Sequence, residues 1–338
     1  MREDPGLDRE RIAACLAASY GLDVDVITYL PIGFDLDAAV YRVVAGDGTI
    51  FFLKVRFAPG GEASLRVPRA LIEHGVRNIL APVLSRTGEG WSACDGYSLV
   101  LYPYIAGDDA AVIGLSDDQW REFGATLRAV HDSGLAATMR EVVPVETFAL
   151  PSAALVRHIS ALVENSDFSS PAAARFAAFW RQQAERIRHM LERAEALGRA
   201  LQGKRFELVL CHADIHAANI LVGDDGGITL IDWDGPLIAP RERDLLFVVE
   251  SRIAREVTRR EEALFFGGYG AVPIDPDALI YYRYERIIED IGVNGQSVLL
   301  DPGRSEAARA DEAEFAMRFF APHGDVERVE RDIAERFA

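Results

Sequence analysis

Residues 208–234 of the chain, LVLCHADIHAANILVGDDGGITLIDWD, decide how the rest is interpreted. The apolar run Leu208–Cys211 is typical of a buried strand, and Ile220–Val222 and Ile228–Ile231 predict two more short strands. Asp224–Gly227 predicts a hairpin turn between the last two, because Asp and Gly tolerate the positive φ that such turns need. The stretch therefore predicts a strand, a polar loop and a hairpin that folds back toward that loop.

Three oxygen-bearing side chains lie beside these strands: Asp214 and Asn219 in the polar loop, and Asp232 at the end of the hairpin. A loop and a returning strand bring them to one end of the hairpin, where two carboxylates and a carboxamide suit Mg²⁺. The spacing HxDxxxxN, followed by an Asp at a strand end, matches the catalytic and metal loops of protein-kinase-like phosphotransferases. There, one Asp accepts the proton of the substrate hydroxyl, while the Asn and the second Asp hold metal.

A purely structural role is the alternative for these residues, since Asp and Asn also favour turns. A single Asp in a turn is common, but three such residues at these offsets between apolar strands favour the catalytic interpretation. The neighbouring Cys211 belongs to an apolar strand, which indicates a buried structural thiol rather than a nucleophile.

Composition limits the class of protein. The 338 residues are 49% hydrophobic, which is enough for a sizeable core and about two domains. The formal net charge of −17 argues against a nucleic acid or an anionic membrane as partner and is compatible with a small cationic substrate. No apolar run reaches the length of a membrane span, and the acidic N-terminal stretch MREDPGLDRE is not a signal peptide. Cys15, Cys94 and Cys211 are scattered, which predicts a reducing, cytoplasmic compartment rather than a disulfide framework.

Lys54 is one of two lysines in the chain and lies in the middle of the apolar strand FFLKV. A buried ammonium is costly without partners, and a role at the α- and β-phosphates of ATP, with a carboxylate holding it, removes that cost. The alternative is a position on the solvent face of an edge strand. Glu62, at the start of the predicted helix Glu62–His74, is the expected carboxylate partner. Glu73 is the second choice, because Pro68 would kink or delay that helix.

The first hundred residues predict antiparallel strands, at Val24–Leu30, Ala39–Val44 and Thr49–Val55. The turn around Gly33 lies where a kinase-like fold places its loop over the nucleotide phosphates, although a plain β-turn is the default interpretation of this segment. The strand Tyr97–Ile105 is interrupted by a proline, as in a hinge whose free backbone groups bind the edge of adenine; a strand that simply ends at the proline is equally consistent.

From Ser116 onward the pattern changes to helix, so the composition shifts from β-rich before about residue 106 to α-rich after it. We therefore predict an α+β, bilobal, protein-kinase-like fold. A β-rich nucleotide-binding lobe is expected over residues 1–105, and a mainly helical lobe with the catalytic loop and the substrate site over residues 106–338.

Other polar residues of the helical part admit bland interpretations. His131 is predicted to be a packed or capping histidine, and Asp244 a helix cap or a partner of an Arg or a backbone amide. The predicted helix Ala278–Leu300 carries acidic side chains that could face a cationic ligand, although a solvated charged face is at least as consistent.

The chain resembles the aminoglycoside phosphotransferases, and within them the spectinomycin branch. The segments CHADIHAANILV and LIDWDGPLIAPRERDLLF are similar to the wider family of kinase-like small-molecule phosphotransferases, and YYRYERIIEDIGVNGQ, within Tyr281–Gln296, points to that branch. The similarity runs almost from end to end. Two departures are Ala218, where the branch often has Gly, and the single Gly33 in the loop over the phosphates; neither touches the reacting groups.

The resemblance implies phosphoryl transfer from ATP, with Mg²⁺, to a substrate hydroxyl. Carried over position by position, it implies these roles: Asp214 as general base, Asn219 and Asp232 as Mg²⁺ ligands, Lys54 as phosphate-binding lysine, Glu62 as its helix partner, His212 as orienting the loop, and Tyr102, Pro103, Tyr104 and Ile105 as the adenine-binding hinge. The implied acceptor is spectinomycin, a dicationic aminocyclitol, at its 9-hydroxyl. Candidates for binding its ammonium groups are Asp234 first, and then Glu285, Glu289 and Asp290.

Two other functions stay open at this point. A kinase of the same fold could act on choline, a sugar, homoserine or an intermediate of antibiotic biosynthesis, since the loop motifs do not specify the acceptor. A non-enzymatic nucleotide-binding protein is disfavoured because Lys54, Asp214, Asn219 and Asp232 are all present.

Overall fold

The computed structural model describes residues 4–32, 38–57 and 61–337. The chain divides into two compact units: one comprises the residues up to Val145 together with Leu208–Ala271, and the other comprises Glu146–Glu207 together with the residues from Val272. This division follows packing, whereas the boundary predicted between residues 105 and 106 separates lobes by function and stays a prediction. The loop predicted around Gly33 lies outside the described residues.

In the described part of the chain, the strands belong to the first unit. They are β1 (Val24–Leu30), β2 (Ala38–Ala45), β3 (Ile50–Arg56), β4 (Ser92–Cys94), β5 (Tyr97–Pro103), β6 (Gly107–Asp109), β7 (Val209–Cys211), β8 (Ile220–Gly223), β9 (Ile228–Leu230) and β10 (Leu237–Ala239). An antiparallel sheet has the order β1-β2-β3-β5-β4, a second sheet the order β6-β8-β9, and β7 pairs with β10. The predicted strands at the N-terminus and in the catalytic hairpin are thus confirmed.

Helices occur in both units. Those of the first unit are α1 (Arg9–Tyr20), α2 (Glu62–Glu73), α3 (Ala110–Ile113), α4 (Asp117–His131), α5 (Leu135–Thr138), α8 (Glu242–Leu245) and α9 (Arg259–Tyr269), with a 3₁₀ turn at Ala217–Asn219. Those of the second unit are α6 (Ala153–Asn165), α7 (Pro171–Gln202), α10 (Pro276–Leu300), α11 (Glu306–Arg318) and α12 (Asp325–Phe337). A sheet-rich N-terminal region followed by a helical C-terminal part confirms the predicted α+β, kinase-like fold.

The core of the five-stranded sheet is closed by α1. Tyr41, Leu53 and Leu101 lie opposite one another on neighbouring strands and so share one face of the sheet, where they are fully buried together with Leu16 of α1. The helix is also tied covalently to this sheet, since Cys15 forms a disulfide with Cys94 across 5.9 Å between their Cα atoms.

That disulfide corrects the expectation that the cysteines form no disulfide framework. The two residues are 79 positions apart, and the packing of α1 on β4 brings them together. Cys211 is free and buried, and burial raises the pKa of its thiol well above 9.0. The prediction that Cys211 is a structural thiol is therefore confirmed.

Helices α4 and α9 cross at unusually close range because each contributes a glycine. A Cβ on Gly124 would lie 2.1 Å from the carbonyl oxygen of Phe265, and a Cβ on Gly268 would lie 1.8 Å from that of Arg121. Real Cβ atoms do not approach a backbone oxygen so closely, so only glycine permits this crossing. On α9 the contact adjoins Tyr269, the last residue of that helix.

The second unit is a helical layer packed around its own apolar core. Trp180 of α7, Tyr284 and Ile288 of α10, and Val156 of α6 are all buried in this core. Gly295 of α10 lies where a Cβ would approach Ile159 to 2.9 Å, so the glycine lets α10 and α6 come close. None of the helices in the described part of the chain combines the length and the apolar composition that crossing a membrane requires.

Candidate active site

The polar loop between β7 and β8 is closed by a side-chain hydrogen bond. Asn219, in the 3₁₀ turn, is buried and donates from Nδ2 to the backbone oxygen of Asp214 at 2.8 Å. Its own backbone oxygen accepts from the amide of Ile231 at 3.0 Å, which ties the loop to the residue after β9. The next residue is Asp232. The structure therefore brings the loop of Asp214 and Asn219 to the strand end that carries Asp232, as the sequence predicts.

Two residues of this region have left-handed backbone conformations that L-amino acids rarely adopt. Ala213 has a φ of 70° and Asp232 a φ of 61°. Such conformations cost about 1 kcal/mol or more each and persist where surrounding contacts impose them. They lie immediately before the predicted base and at the predicted metal ligand, so the fold imposes an unusual backbone conformation beside both carboxylates.

Asp244 of α8 supplies the contacts at the loop. Its Oδ1 accepts from the amide of Ala213 at 2.7 Å and its Oδ2 from the amide of His212 at 2.9 Å. His212 in turn contacts the backbone oxygen of Ile231 through Nε2 at 2.8 Å, and its ring lies 4.4 Å from that of Trp233. His212 thus joins the loop to the hairpin end, and Asp244 holds the backbone that delivers Asp214.

A buried chain of polar groups continues behind Asp244. His131 Nε2 lies 2.9 Å from Asp244 Oδ2, and His131 Nδ1 lies 2.6 Å from the hydroxyl of Tyr269. Burial opposes ionisation of Asp244, but the hydrogen bond and charge of His131, with the charge of His212 and the amide of Ala213, outweigh it and lower the pKa of Asp244 below 3.8. The pairing of Asp244 with backbone amides and the packed position of His131 are confirmed. The helix-cap alternative for Asp244 is wrong, because the residue lies within α8.

Lys54 of β3 contacts the hairpin end from the five-stranded sheet. Its Nζ lies 2.7 Å from Oδ2 of Asp234, and Arg56, two residues along the strand, places Nη2 2.5 Å from Oδ1 of the same carboxylate. The side chain of Glu62 forms an ion pair with Arg66 at 2.6 Å and is 66% exposed. The pairing of Lys54 with Glu62, or with Glu73, therefore stays a prediction. Sequence reasoning missed Arg56, although its alternation with Lys54 was the available signal.

The charge balance at the strand end favours a cation. The pKa of Asp232 is raised from 3.8. The largest cause is partial removal of water from the carboxylate, which still keeps contact with solvent, and the negative charges of Asp234 and Asp214 raise the pKa further. The positive charges of Lys54 and His212 partly offset the increase. Asp232 is thus a carboxylate whose negative charge the protein balances incompletely.

The predicted hinge follows β5. Residues 104–106 connect it to β6, where Gly107 has a φ of 150° and lies so close to β8 that a Cβ would be 2.0 Å from the carbonyl oxygen of Val222. The ring of Tyr104 is 37% exposed and faces the guanidinium of Arg42 at 5.7 Å. Burial and the charge of Asp234 raise the pKa of Tyr102, whose phenol therefore stays neutral. Adenine binding by Tyr102, Pro103, Tyr104 and Ile105 stays a prediction.

The acidic residues proposed for the acceptor occupy two places in the chain. Asp234 lies in the first unit, in the ion-pair cluster with Lys54. Glu285, Glu289 and Asp290 lie on α10 of the second unit, where Glu285 is buried and Asp290 accepts from Arg286 at 3.0 Å. Their role in acceptor binding stays a prediction.

Known proteins share this arrangement of elements and motifs. Residues 28–282 match the phosphotransferase enzyme family, which is most of the chain. The chain belongs to the phosphotransferase enzyme family. Together with the structural similarities described next, this makes it an ATP-dependent phosphotransferase that acts on a hydroxyl group. No curated protein matched this phosphotransferase by sequence.

Solved structures resemble this phosphotransferase over nearly its whole length. Spectinomycin phosphotransferase in complex with ADP and spectinomycin is 28% identical, with a TM-score of 0.87, covering 97% of this chain and 99% of that chain. The AMP-bound complex of spectinomycin phosphotransferase is 27% identical, with a TM-score of 0.83, covering 96% and 98%. A Plasmodium vivax ethanolamine kinase is 14% identical, with a TM-score of 0.57, covering 95% and 96%, which shows the fold alone.

The donor set of this phosphotransferase fits a hard divalent cation. Asn219 commits its amide nitrogen to the loop, so the amide oxygen is the atom that remains to act as a ligand. Asp232 adds a carboxylate whose charge the protein balances incompletely. Oxygen ligands of this kind, with phosphate oxygens completing the shell, suit Mg²⁺.

Proposed function

We propose that this phosphotransferase transfers the γ-phosphate of ATP to spectinomycin, at its 9-hydroxyl, and thereby inactivates the antibiotic. The observation that carries the proposal is the similarity to a spectinomycin phosphotransferase bound to ADP and spectinomycin, which spans both chains almost completely at a TM-score of 0.87. The local geometry supports it, since the loop of Asp214 and Asn219 is hydrogen-bonded to the strand end that carries Asp232.

In the proposed mechanism, Asp214 orients the acceptor hydroxyl and takes its proton as the phosphoryl group moves. Its side chain is 40% exposed, so an acceptor can reach it, and its backbone is fixed by the bond from Asn219. Lys54 binds phosphate oxygens of the nucleotide. Asn219 and Asp232 hold Mg²⁺, which, when bound, neutralises negative charge on the phosphates. Because the transition state is loose, positioning and electrostatics supply most of the rate.

The hinge and the acidic residues complete the proposal. Backbone groups of Tyr102–Ile105 bind the edge of adenine, and Glu62 supports Lys54. The ammonium groups of the acceptor bind carboxylates, with Asp234 first and then Glu285, Glu289 and Asp290. The net charge of −17 is compatible with a cationic acceptor.

The test is ATP-dependent phosphate transfer by the purified protein, with spectinomycin, choline, ethanolamine, homoserine and several aminoglycosides as parallel acceptors. Transfer to spectinomycin alone, lowered about 10³-fold in Asp214→Asn, is the expected result. The matched control is Asp225→Asn, which alters a carboxylate in the exposed hairpin turn and is expected to leave the rate unchanged. Transfer to choline or homoserine instead of spectinomycin would support kinase activity but would show that the proposed acceptor is wrong.

A further inference from the structure

The carboxylate of Asp234 is shared by two cations of β3. Lys54 and Arg56 bond to different oxygens of this carboxylate, at 2.7 Å and 2.5 Å, and their side chains are only 12% and 15% exposed. Alternate residues of a strand point to the same face, which is why both cations reach one acceptor. This set of three charges is called the Asp234 cluster below.

In the Asp234 cluster two cations share one hydrogen-bonded carboxylate, and the charge of Asp232 also acts on Lys54. Cations removed from water need counter-charges and hydrogen-bond acceptors, and the shared carboxylate gives one oxygen to each of the two. A nucleotide polyphosphate carries several negative charges and many acceptor oxygens, and a guanidinium pairs with phosphate through two parallel hydrogen bonds. The polyphosphate is therefore the better partner for this pair of cations.

The contacts also bear on the roles proposed above. The proposed function assigns Lys54 to the nucleotide and Asp234 to the acceptor, yet in this structure the two side chains are bonded to each other. Neither group can serve its ligand fully while the bond persists. Opening the pair for one ligand makes the other group available at the same time.

We propose that nucleotide phosphates take both Lys54 and Arg56 away from Asp234, and that the released carboxylate then binds an ammonium group of the acceptor. Arg56 is thus a second phosphate-binding cation, and Asp234 links the two binding sites. This inference rests on the proposed function. Because linkage is reciprocal, nucleotide raises the affinity for a cationic acceptor, and the acceptor raises the affinity for nucleotide by the same factor.

The first experiment measures the binding of AMP-PNP with Mg²⁺, and of adenosine, by titration calorimetry. Asp234→Asn removes the competing carboxylate and is expected to bind AMP-PNP about tenfold more tightly, the size of one charge-assisted contact. Arg56→Gln is expected to bind AMP-PNP about tenfold more weakly. Adenosine has no phosphates, so the affinity of each variant for adenosine is expected to equal that of the wild type. Unchanged adenosine binding, together with thermal unfolding, shows that each variant is folded.

The matched control for this experiment is Asp95→Asn. Like Asp234, Asp95 belongs to the first unit and accepts hydrogen bonds from cations with both carboxylate oxygens. Both bonds come from Arg11, at 2.7 Å and 2.9 Å. Replacement of Asp95 is expected to leave AMP-PNP binding unchanged. Equal or weaker AMP-PNP binding by Asp234→Asn would overturn the exchange, and tighter binding by Arg56→Gln would show that Arg56 only holds Asp234.

The second experiment measures spectinomycin binding with and without AMP-PNP. The wild-type protein is expected to bind spectinomycin at least about fivefold more tightly in the presence of AMP-PNP, whereas Asp234→Asn loses this difference and Asp95→Asn keeps it. Equal coupling in wild type and Asp234→Asn would overturn the proposal. A wild-type protein that binds no AMP-PNP would overturn the proposed function itself. A wild-type protein that binds AMP-PNP but does not bind spectinomycin would overturn only the assignment of spectinomycin as the acceptor.

Discussion

The carboxylate of Asp244 accepts a hydrogen bond of 2.7 Å from the backbone amide of Ala213, the residue immediately before the proposed base Asp214. Asp244→Asn replaces one acceptor oxygen by an NH₂ group that faces amide donors, so the loop loses a hydrogen bond where φ is strained. We expect kcat to fall about 10- to 100-fold, as for other residues that orient reacting groups from behind. KM for ATP should change little, because Lys54 and Arg56 are untouched. Steady-state kinetics of Asp244→Asn and of the control Asp225→Asn measure this effect, and thermal unfolding checks that both variants are folded.

The same residue predicts a dependence of stability on pH. Because the pKa of Asp244 is lowered in the folded protein, its stabilising contribution is fully present above 3.8 and is lost as the pH falls through the lower folded value. The difference in unfolding free energy between wild type and Asp244→Asn should therefore be constant from pH 7 to about pH 5 and shrink below about pH 4. Urea unfolding at several pH values measures it. A difference that grows on acidification would contradict this role.

Asp232 should show the opposite sign. Its pKa is raised, so its contribution to stability is present below 3.8 and lost as the pH rises through the folded value. Asp232→Asn should therefore raise the Tm of the nucleotide-free protein at pH 7, by about 1–2 °C since solvent screens the residue, while removing phosphate transfer.

Thermal unfolding with and without Mg²⁺ and AMP-PNP measures both effects of Asp232→Asn. The Tm of the wild type should rise with Mg²⁺ and AMP-PNP together and fall back when EDTA removes the metal. The variant should lose most of this response, and Asp224→Asn in the hairpin turn should keep it. An Asp232→Asn variant that is stabilised by Mg²⁺ and AMP-PNP as strongly as the wild type would exclude Asp232 as a metal ligand.

Local patterns predicted most of this fold, whereas pairings between distant residues were missed. The strands around Lys54 and the hairpin before Asp232 follow from hydrophobic runs and turn residues that adjoin each other in the chain. The bond between Lys54 and Asp234 joins residues 180 positions apart, and the disulfide spans 79. Such pairings depend on how elements pack, and no local propensity encodes them.

The anchoring of the catalytic loop was only partly predictable for the same reason. An acidic residue just before an apolar helix is expected to cap that helix or to pair with an Arg or a backbone amide, and Asp244 contacts backbone amides. The identity of that amide depends on how the chain folds, because α8 packs against a loop that lies earlier in the sequence. Asp244 and its partner Ala213 are 31 positions apart. The sequence therefore predicts that such a residue has a partner, and the structure identifies the partner.

The disulfide between Cys15 and Cys94 predicts a measurable response to reductant. It closes a long loop and limits the unfolded chain, so its loss should lower the unfolding free energy by about 2–4 kcal/mol. Thiol titration of the denatured, unreduced wild-type protein should detect one thiol, that of Cys211, and titration of Cys211→Ala should detect none. Urea unfolding with and without dithiothreitol gives the stability difference. Titration of three thiols without reductant would refute the disulfide in the purified protein.

The close crossing of α4 and α9 predicts a sharp difference between adjacent glycines of α9. A Cβ on Gly268 would lie 1.8 Å from the backbone oxygen of Arg121, whereas a Cβ on Gly267 would be 3.9 Å from its side chain. Gly268→Ala should destabilise by about 1–3 kcal/mol, because a helix must shift. Gly267→Ala should be neutral or stabilise by up to about 1 kcal/mol, since Ala favours helices.

The functional consequence of Gly268→Ala follows from what the crossing positions. Tyr269 is the next residue and contacts His131, which contacts Asp244 behind the catalytic loop. We therefore expect the variant to lose activity at temperatures where it is still folded, with kcat lowered about tenfold, whereas Gly267→Ala retains the wild-type rate. Kinetics at a temperature below both unfolding transitions separate this effect from global unfolding. Equal kcat values in the two variants would show that the crossing supports the fold but not the loop.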